Sequence, residues 1–252
     1  MAQFDASLKT ILLNILGPLL VLMLLFLLLR KPLQSLKRRF FAYFINRMTA
    51  GVNKKLGNDK EELFGPLVAI KGSLKDRKNL TLLEIGAGGG ANFKYYPRGT
   101  NIVCVDPNPH FESYLKSNSS EFPHVKLREF IVAKGEDMSE VPDSFCDAAV
   151  CTLVLCSVED TDQLLKEVKR VLKPGGMFFF LEHVAAQPST WSYCLQCFLT
   201  PVFKIIAEGC HLNRETWRNI EQAGFANLEY RRYTTSSWMP PLWHLMSGNA
   251  TK

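Results

Sequence analysis

The sequence predicts an α/β fold: a mostly parallel seven-stranded sheet with helices on both faces, preceded by a hydrophobic N-terminal segment. Three observations carry this. From residue 80 onward, short apolar runs alternate with stretches of helical periodicity, the pattern of strand–helix–strand units. The first run, residues 80–85, stops at Gly86, Gly88, Gly89 and Gly90, as a buried parallel strand stops in a tight turn. Helical spacing over residues 160–172 then breaks at Lys173-Pro174-Gly175-Gly176 before the apolar run of residues 177–181.

A chain of 252 residues, 47% hydrophobic, fills one good core and leaves little for a second domain. The expected organisation is a hydrophobic anchor over residues 1–30, a basic amphipathic helix and connector over 31–79, and one catalytic-type domain over 80–252. Seven cysteines, an odd count scattered through apolar segments, do not form a secreted disulfide framework and indicate reduced thiols on a cytosolic face. The net charge of +6 is modest and uneven, and no nucleic-acid partner is expected.

Residues 10–29 carry no charge and are long enough to cross a bilayer. A cleaved signal peptide is the competing reading. Against it stand the single early lysine, Lys9 beside Asp5, and Leu28-Leu29-Arg30-Lys31 where small residues would mark a cleavage site. Arg30, Lys31, Lys37, Arg38, Arg39 and Arg47 follow the segment, and this bias places the rest of the chain in the cytosol. Gly17-Pro18 allows either a spanning helix or one that bends back into the same leaflet. Leu33, Leu36, Phe40, Phe44 and Met48 then recur at steps of three and four among basic residues. That stripe suits a helix lying on lipid headgroups or one packed on the core. The connector that follows is expected to hold one helix, around residues 60–70.

After the glycine turn, residues 91–96 open a helix cut short by Pro97, and residues 101–106 form a second strand ending in Asp106. A helix over 111–117 leads to a third strand, 126–132, and the acidic loop Gly135-Glu136-Asp137. The fourth strand ends at Cys151-Thr152, the fifth at Glu182-His183. Residues 185–210 form an aromatic-rich insertion holding Trp191, Tyr193, Phe198 and Phe203, expected to serve as an apolar lid if the chain handles hydrophobic substrates. Its Cys194-x-x-Cys197 is half a metal site that Cys210-His211 would have to complete, or else two cysteines on a helix face; no metal is expected. A helix over 213–223, a strand over 228–233 and a short strand over 242–246 finish the chain.

Gly86-x-Gly88-x-x-Ala91 with Asp106 about 20 residues on also fits a dinucleotide fingerprint. Glu84 argues otherwise, since a carboxylate there crowds a pyrophosphate and suits the ammonium and sulfonium of S-adenosylmethionine. The run from Glu84 to Gly90 resembles the first motif of Rossmann-like class I methyltransferases. Leu82-Leu-Glu-Ile-Gly86, Cys104-Val-Asp-Pro-Asn-Pro109, Val150-Cys-Thr-Leu-Val-Leu-Cys-Ser-Val158, Lys173-Pro-Gly-Gly176 and Glu182-His-Val-Ala-Ala186 are together similar to the membrane-associated thiol S-methyltransferases of the endoplasmic reticulum and lipid droplets. The resemblance covers roughly residues 60–230. It departs at Gly86-Ala-Gly-Gly-Gly90, where the family usually has Gly-Cys-Gly-Thr-Gly, and after Tyr233.

The resemblance implies S-adenosylmethionine as cofactor, a small hydrophobic thiol as substrate, and a location on the endoplasmic reticulum membrane and lipid droplets. It implies a cofactor site of Glu84, Gly86, Ala87, Gly88, Gly90, Asp106, Pro107, Asn108, Gly135, Glu136, Asp137, Cys151 and Thr152. Asp106 would take the ribose hydroxyls, or serve only as a turn residue; Glu136 or Asp137 would accept from the adenine amine. His183, at the carboxyl edge of the sheet, is either a general base or a hydrogen-bonded wall residue. Rival readings are a methyltransferase for a lipid, quinone or phenol, a catalytically silent membrane tether, and a dehydrogenase.

Overall fold

The computed structural model describes residues 17–74, 79–235, 242 and 244–252. Its centre is a seven-stranded sheet of β1 (Leu80–Ile85), β2 (Thr100–Val105), β3 (Val125–Ile131), β4 (Cys146–Thr152), β5 (Leu172–His183), β6 (Asn227–Thr234) and β7 (His244–Thr251). The strand order is β3-β2-β1-β4-β5-β7-β6, with β7 antiparallel to both of its neighbours. Alternate residues of each central strand feed two cores. Leu83 and Ile85 of β1, Ala149 and Cys151 of β4, and Phe178 and Phe180 of β5 pack on one face. Leu80 and Leu82, Ala148 and Val150, and Phe179 and Leu181 pack on the other. Burial on both faces is why these strands read as continuous apolar runs.

Between β4 and β5 runs α5 (Thr161–Val171), whose N-cap Asp160 accepts from the Gln163 amide and whose Leu164, Leu165, Val168 and Val171 are buried. The Lys-Pro-Gly-Gly stretch becomes an irregular start of β5, with the register to β4 shifting between Cys146 and Ala148. Toward the N-terminus lie α2 (Gly57–Phe64) and α3 (Pro66–Ser73) where one helix was expected. Gly65-Pro66 divides them, because a proline has no amide hydrogen to continue α2 and fits the first turn of α3. Residues 91–96 form only a 3₁₀ turn at Phe93–Tyr95, too short before Pro97 for a helix. A 3₁₀ turn at Pro109–Phe111 precedes α4 (Glu112–Ser119).

The last strand pairs with β6, and it is longer than expected. β7 has eight residues and inserts between β5 and β6. Ser247-Gly248-Asn249 has turn-like composition, yet ladders on both sides hold it extended: Gly248 opposes Phe180 and Tyr230.

The helix α1 (Gly17–Lys55) is continuous through Pro32. The expected boundary between anchor and interfacial helix at residue 30 therefore falls inside one element; residues 10–16, part of the expected anchor, lie outside the described residues. Its first half is exposed apolar surface from Leu19 to Leu29, with Leu28 at 71%. Its second half has two faces. Leu33, Leu36, Phe40 and Phe44 stay exposed, while Phe41, Ile45, Met48 and Val52 turn toward the domain. Of the expected stripe only Met48 faces the domain; the packed side of the helix is the adjacent set of Phe41, Ile45, Met48 and Val52.

The insertion forms α6 (Trp191–Ile206), and its polarity is inverted. Its buried residues are Ser192, Gln196 and Thr200. Gln196 accepts from the Ala186 amide at 2.7 Å and donates to the Val184 carbonyl at 3.1 Å. Trp191, Phe198, Val202, Ile205 and Ile206 face outward. The apolar-lid expectation is corrected: these side chains point away from the domain, and only Ala207 and Glu208, just beyond α6, reach the cavity described next. The short α7 (Thr216–Gln222) follows.

Candidate active site

β1 and β4 lie side by side at the centre, and the chain leaves them in opposite directions. Their carboxyl ends therefore flank a crevice, the usual ligand position in such sheets. A cavity of about 340 Å³ opens there, and α1 forms its roof. Side chains tie the roof to the loops beneath. Asn53 donates to the Ala91 carbonyl at 2.8 Å, Asn118 bridges Asn46 (3.0 Å) and the Gly89 carbonyl (2.8 Å), and Arg38 donates to the Pro107 carbonyl.

The floor begins where β1 ends. Gly86 has φ +64°, and a Cβ there would lie 2.2 Å from Val154 Cγ2. Only glycine meets both demands. Opposite it, the non-glycine Leu153 is held at φ +58° as its amide donates to the Leu181 carbonyl at 2.8 Å. Backbone strain of this kind concentrates at ligand sites, and Leu153 lines the cavity.

Two buried carboxylates define the polar end. Asp106 follows β2, and its oxygens accept from the Gly88 amide (3.0 Å) and the Asn108 amide (2.8 Å). Burial pushes its pKa up to about 6, those two amides opposing the rise. Glu84 is 2% exposed. Its Oε1 accepts from Asn92 Nδ2 at 2.7 Å, and its Oε2 has no partner in the protein. Burial raises its pKa to about 7 against the Asn92 hydrogen bond. Lys60, from α2, brings a buried ammonium to the same wall, where Nζ donates to Asn53 Oδ1 at 2.8 Å. Burial lowers its pKa to about 8, and Glu84 counteracts the fall.

Of the residues expected at the cofactor, Glu84, Gly86, Ala87, Gly88, Asp106, Pro107, Gly135, Glu136 and Thr152 all line the cavity. Five predicted residues stand elsewhere. Gly90 packs on the Phe93 ring, and Asn108 is buried, donating to the Arg38 carbonyl at 3.0 Å to hold the roof. Asp137 is exposed and accepts from the Ser139 amide, so the acidic loop offers Glu136 instead. Glu136 also accepts from the Glu159 amide at 2.7 Å. Cys151 is packed in the core. His183 is buried with Nε2 3.1 Å from Cys210 Sγ, outside the cavity wall.

Sequence reasoning missed Lys60, Asn92 and the roof. Asn92 donates to both Glu84 Oε1 and Thr152 Oγ1 (3.0 Å), linking the ends of β1 and β4. Its place eight residues after Glu84 was the available signal. Lys60 gave none, since nothing local separates it from a solvated lysine.

The residues fit S-adenosylmethionine. Glu84 lines the cavity and its buried Oε2 makes no hydrogen bond, which suits an ammonium donor, and Asp106 retains lone pairs after its two amide bonds. Once bound, the cofactor supplies an electrophilic methyl group on a sulfonium.

Comparison with known proteins agrees. Residues 83–180 match the family model described as a methyltransferase domain. The chain is 45% identical to the thiol S-methyltransferase TMT1A of Homo sapiens over 76% of this chain and 78% of that protein. It is 42% identical to the thiol S-methyltransferase TMT1B of Rattus norvegicus over 95% of this chain and 100% of that one. A solved SAM-dependent methyltransferase from Methanosarcina mazei shares the fold, with a TM-score of 0.53 at 20% identity over 70% of this chain and 93% of its own. The chain is thus an S-adenosylmethionine-dependent methyltransferase, and it belongs to the thiol S-methyltransferase family.

Proposed function

We propose that this enzyme is held on a membrane and methylates the sulfur of small apolar thiols. One observation carries the substrate reading. Beyond the polar end, Phe41, Ile45, Met48, Val52, Leu153, Val154 and Val158 make much of the cavity wall, with Thr49, Ser157, Glu159 and Glu208 at its polar points, and no histidine, cysteine or tyrosine lines it among the described residues. Such a wall suits an acceptor that needs no strong base. A thiol of pKa about 8.5 is a few per cent thiolate at neutral pH and already nucleophilic.

In this reading Glu84 takes the cofactor ammonium and Lys60 its carboxylate, Asp106 accepts from the ribose hydroxyls, and Glu136 accepts from the adenine amine. The apolar wall and the roof of α1 exclude water and hold the thiolate in line with the methyl carbon. His183, turned toward Cys210, takes no proton from substrate.

The membrane reading rests on the exposed apolar half of α1 and the outward apolar face of α6. The basic residues after residue 29 favour a catalytic domain in the cytosol, and family resemblance favours the endoplasmic reticulum and lipid droplets. Carbonate should fail to release the full chain, and protease should digest the domain in sealed microsomes. Release by carbonate, or protection of the domain, overturns this part.

The substrate test is cofactor-dependent methylation by the purified chain with an alkyl thiol, a phenol, a quinol and an amine side by side. The thiol should be methylated, with log rate at subsaturating thiol rising with pH up to the pKa of that thiol and shifting when a more acidic thiol is used. Turnover of the oxygen, carbon or nitrogen acceptor with none of the thiol overturns the substrate class. A profile fixed to the enzyme at about 6.5 whatever the thiol would restore an enzymic base.

A further inference from the structure

Cys156, His183 and Cys210 are all buried, and their ligand atoms lie within 4.8 Å of one another. They come from three segments: the turn after β4, the end of β5, and the loop after α6. We infer that they form a binding site for a single thiophilic divalent cation of the zinc type. Tetrahedral zinc, with bonds of about 2.3 Å to sulfur and about 2.0 Å to nitrogen, sets its ligand atoms about 3.5–3.8 Å apart. The trio needs only small adjustment to reach that spacing. His183 Nε2 already stands 3.1 Å from Cys210 Sγ.

The ligand-bearing segments are held together by contacts that do not involve the ligand atoms. The His211 amide donates to the Cys156 carbonyl at 2.8 Å, and the Ala185 amide to the Arg214 carbonyl at 3.0 Å. Arg214 Nη1 donates to the carbonyls of Leu155 and Val158, each at 2.7 Å. Two thiolates balance a dication, so the loaded site is neutral and suits burial. Cys156 and Cys210 share a small apolar cluster with Leu212, as Cys104, Cys146 and Cys151 share the two large cores; the pair is set apart by the His183 nitrogen within 4.8 Å of both sulfurs.

Position gives the site its role. Ser157 lines the cofactor cavity, and its Oγ lies 3.4 Å from Cys156 Sγ. Ala207 and Glu208, also in the wall, precede Cys210 by a few residues. The ion ties two wall segments to the end of β5. The spacing that sequence offers for a metal, Cys194-x-x-Cys197 with Cys210-His211, is not what folding assembles: Cys194 and Cys197 are exposed on α6.

The test uses the full chain in detergent, stripped with chelator and titrated with cobalt(II). One equivalent should bind with a thiolate-to-cobalt charge-transfer band, and metal analysis of chain purified without chelator should find close to one zinc. Cys156→Ser and Cys210→Ser should each abolish the band, while the Cys194→Ser/Cys197→Ser double variant keeps it. Should the buried variants not fold, X-ray absorption at the metal edge of the unmodified chain should resolve two sulfurs and one imidazole. No stoichiometric metal, a band that depends on Cys194 and Cys197, or a shell without two sulfurs would overturn the site.

Discussion

Glu84→Gln should stabilise the cofactor-free protein above neutral pH while weakening its hold on S-adenosylmethionine. The carboxyl ionises at 4.5 in the unfolded chain and at about 7 in the fold, because burial opposes the charge. Between those values the folded state binds more protons than the unfolded state, so stability falls as pH rises. Once pH passes about 7 the accumulated loss is about 3 kcal/mol. An amide removes that loss but leaves a buried N–H₂ in place of the unpartnered Oε2, which returns part of it. A net gain of about 1–3 kcal/mol is expected at pH 8, and none below pH 4.5. For a chain of this size it corresponds to about 2–4 °C in Tm per kcal/mol.

The assay is thermal unfolding across pH 5–9 in detergent, with and without cofactor, followed by the fluorescence of the four tryptophans. The native protein should lose Tm as pH rises through this window, and bound cofactor should restore most of it by placing an ammonium on the ionised carboxylate. The variant should keep only the smaller slope from Asp106, whose pKa rises from 3.8 to about 6 in the same sense. Cofactor affinity should drop about 10- to 100-fold, the value of one charge-assisted hydrogen bond. A native Tm that does not fall over this range, or a variant that binds cofactor as tightly, refutes the assignment of the orphaned oxygen.

Asp106→Ala removes the acceptor for the Gly88 and Asn108 amides; calorimetry should show affinity weakened well over tenfold with unchanged far-ultraviolet circular dichroism. Gly86→Ala should abolish cofactor binding, and adding Val154→Ala should recover only part of it, because the clash is relieved but φ stays at +64°. Affinity for the cofactor should decline above about pH 8 as Lys60 loses its proton, and Lys60→Met should remove that decline in the same titration. Phe41→Asp with Ile45→Asp should weaken cofactor binding without loosening the membrane attachment; Leu36→Ser, Phe40→Ser and Phe44→Ser together should leave cofactor affinity unchanged.

The sheet was legible wherever one local rule decided the structure. Residues 80–90 combine an apolar run with a backbone that must turn at once, and Thr161–Val171 joins a capped start to clean helical spacing. The site was legible where it hangs on strand ends, as with Glu84 and Asp106. It failed where contacts are made at a distance. Lys60 looks like any surface lysine until α2 packs on the sheet, and Ser247-Gly248-Asn249 of β7 looks like a turn until two ladders hold it. The Cys156, His183 and Cys210 trio has no sequence spacing at all, since the ends of β4 and β5 and the loop after α6 bring it together. The inward serine, glutamine and threonine of α6 defeat the ordinary inference that the apolar face of a helix is its buried face.

Two of these surprises meet in one element. In α1 one helix, continuous through Pro32, carries exposed leucines at one end and the roof of the cofactor cavity at the other. At 1.5 Å per residue, the step from Leu29 to Phe41 is about 18 Å. In the proposed membrane reading, a link of that length sets the height of the cavity above the surface that the leucines would enter. Arg38, part-way along, donates to the Pro107 carbonyl and lies 3.8 Å from Glu208, the last wall residue before the Cys210 loop. α6 ends just before that wall segment, and its outward side is apolar, with Phe198 78% exposed. A surface that received both helices would border the mouth of an apolar cavity. Substrates that partition into that surface would reach the cofactor without crossing bulk water, which is what the proposed membrane-bound, apolar-thiol reading requires of the arrangement.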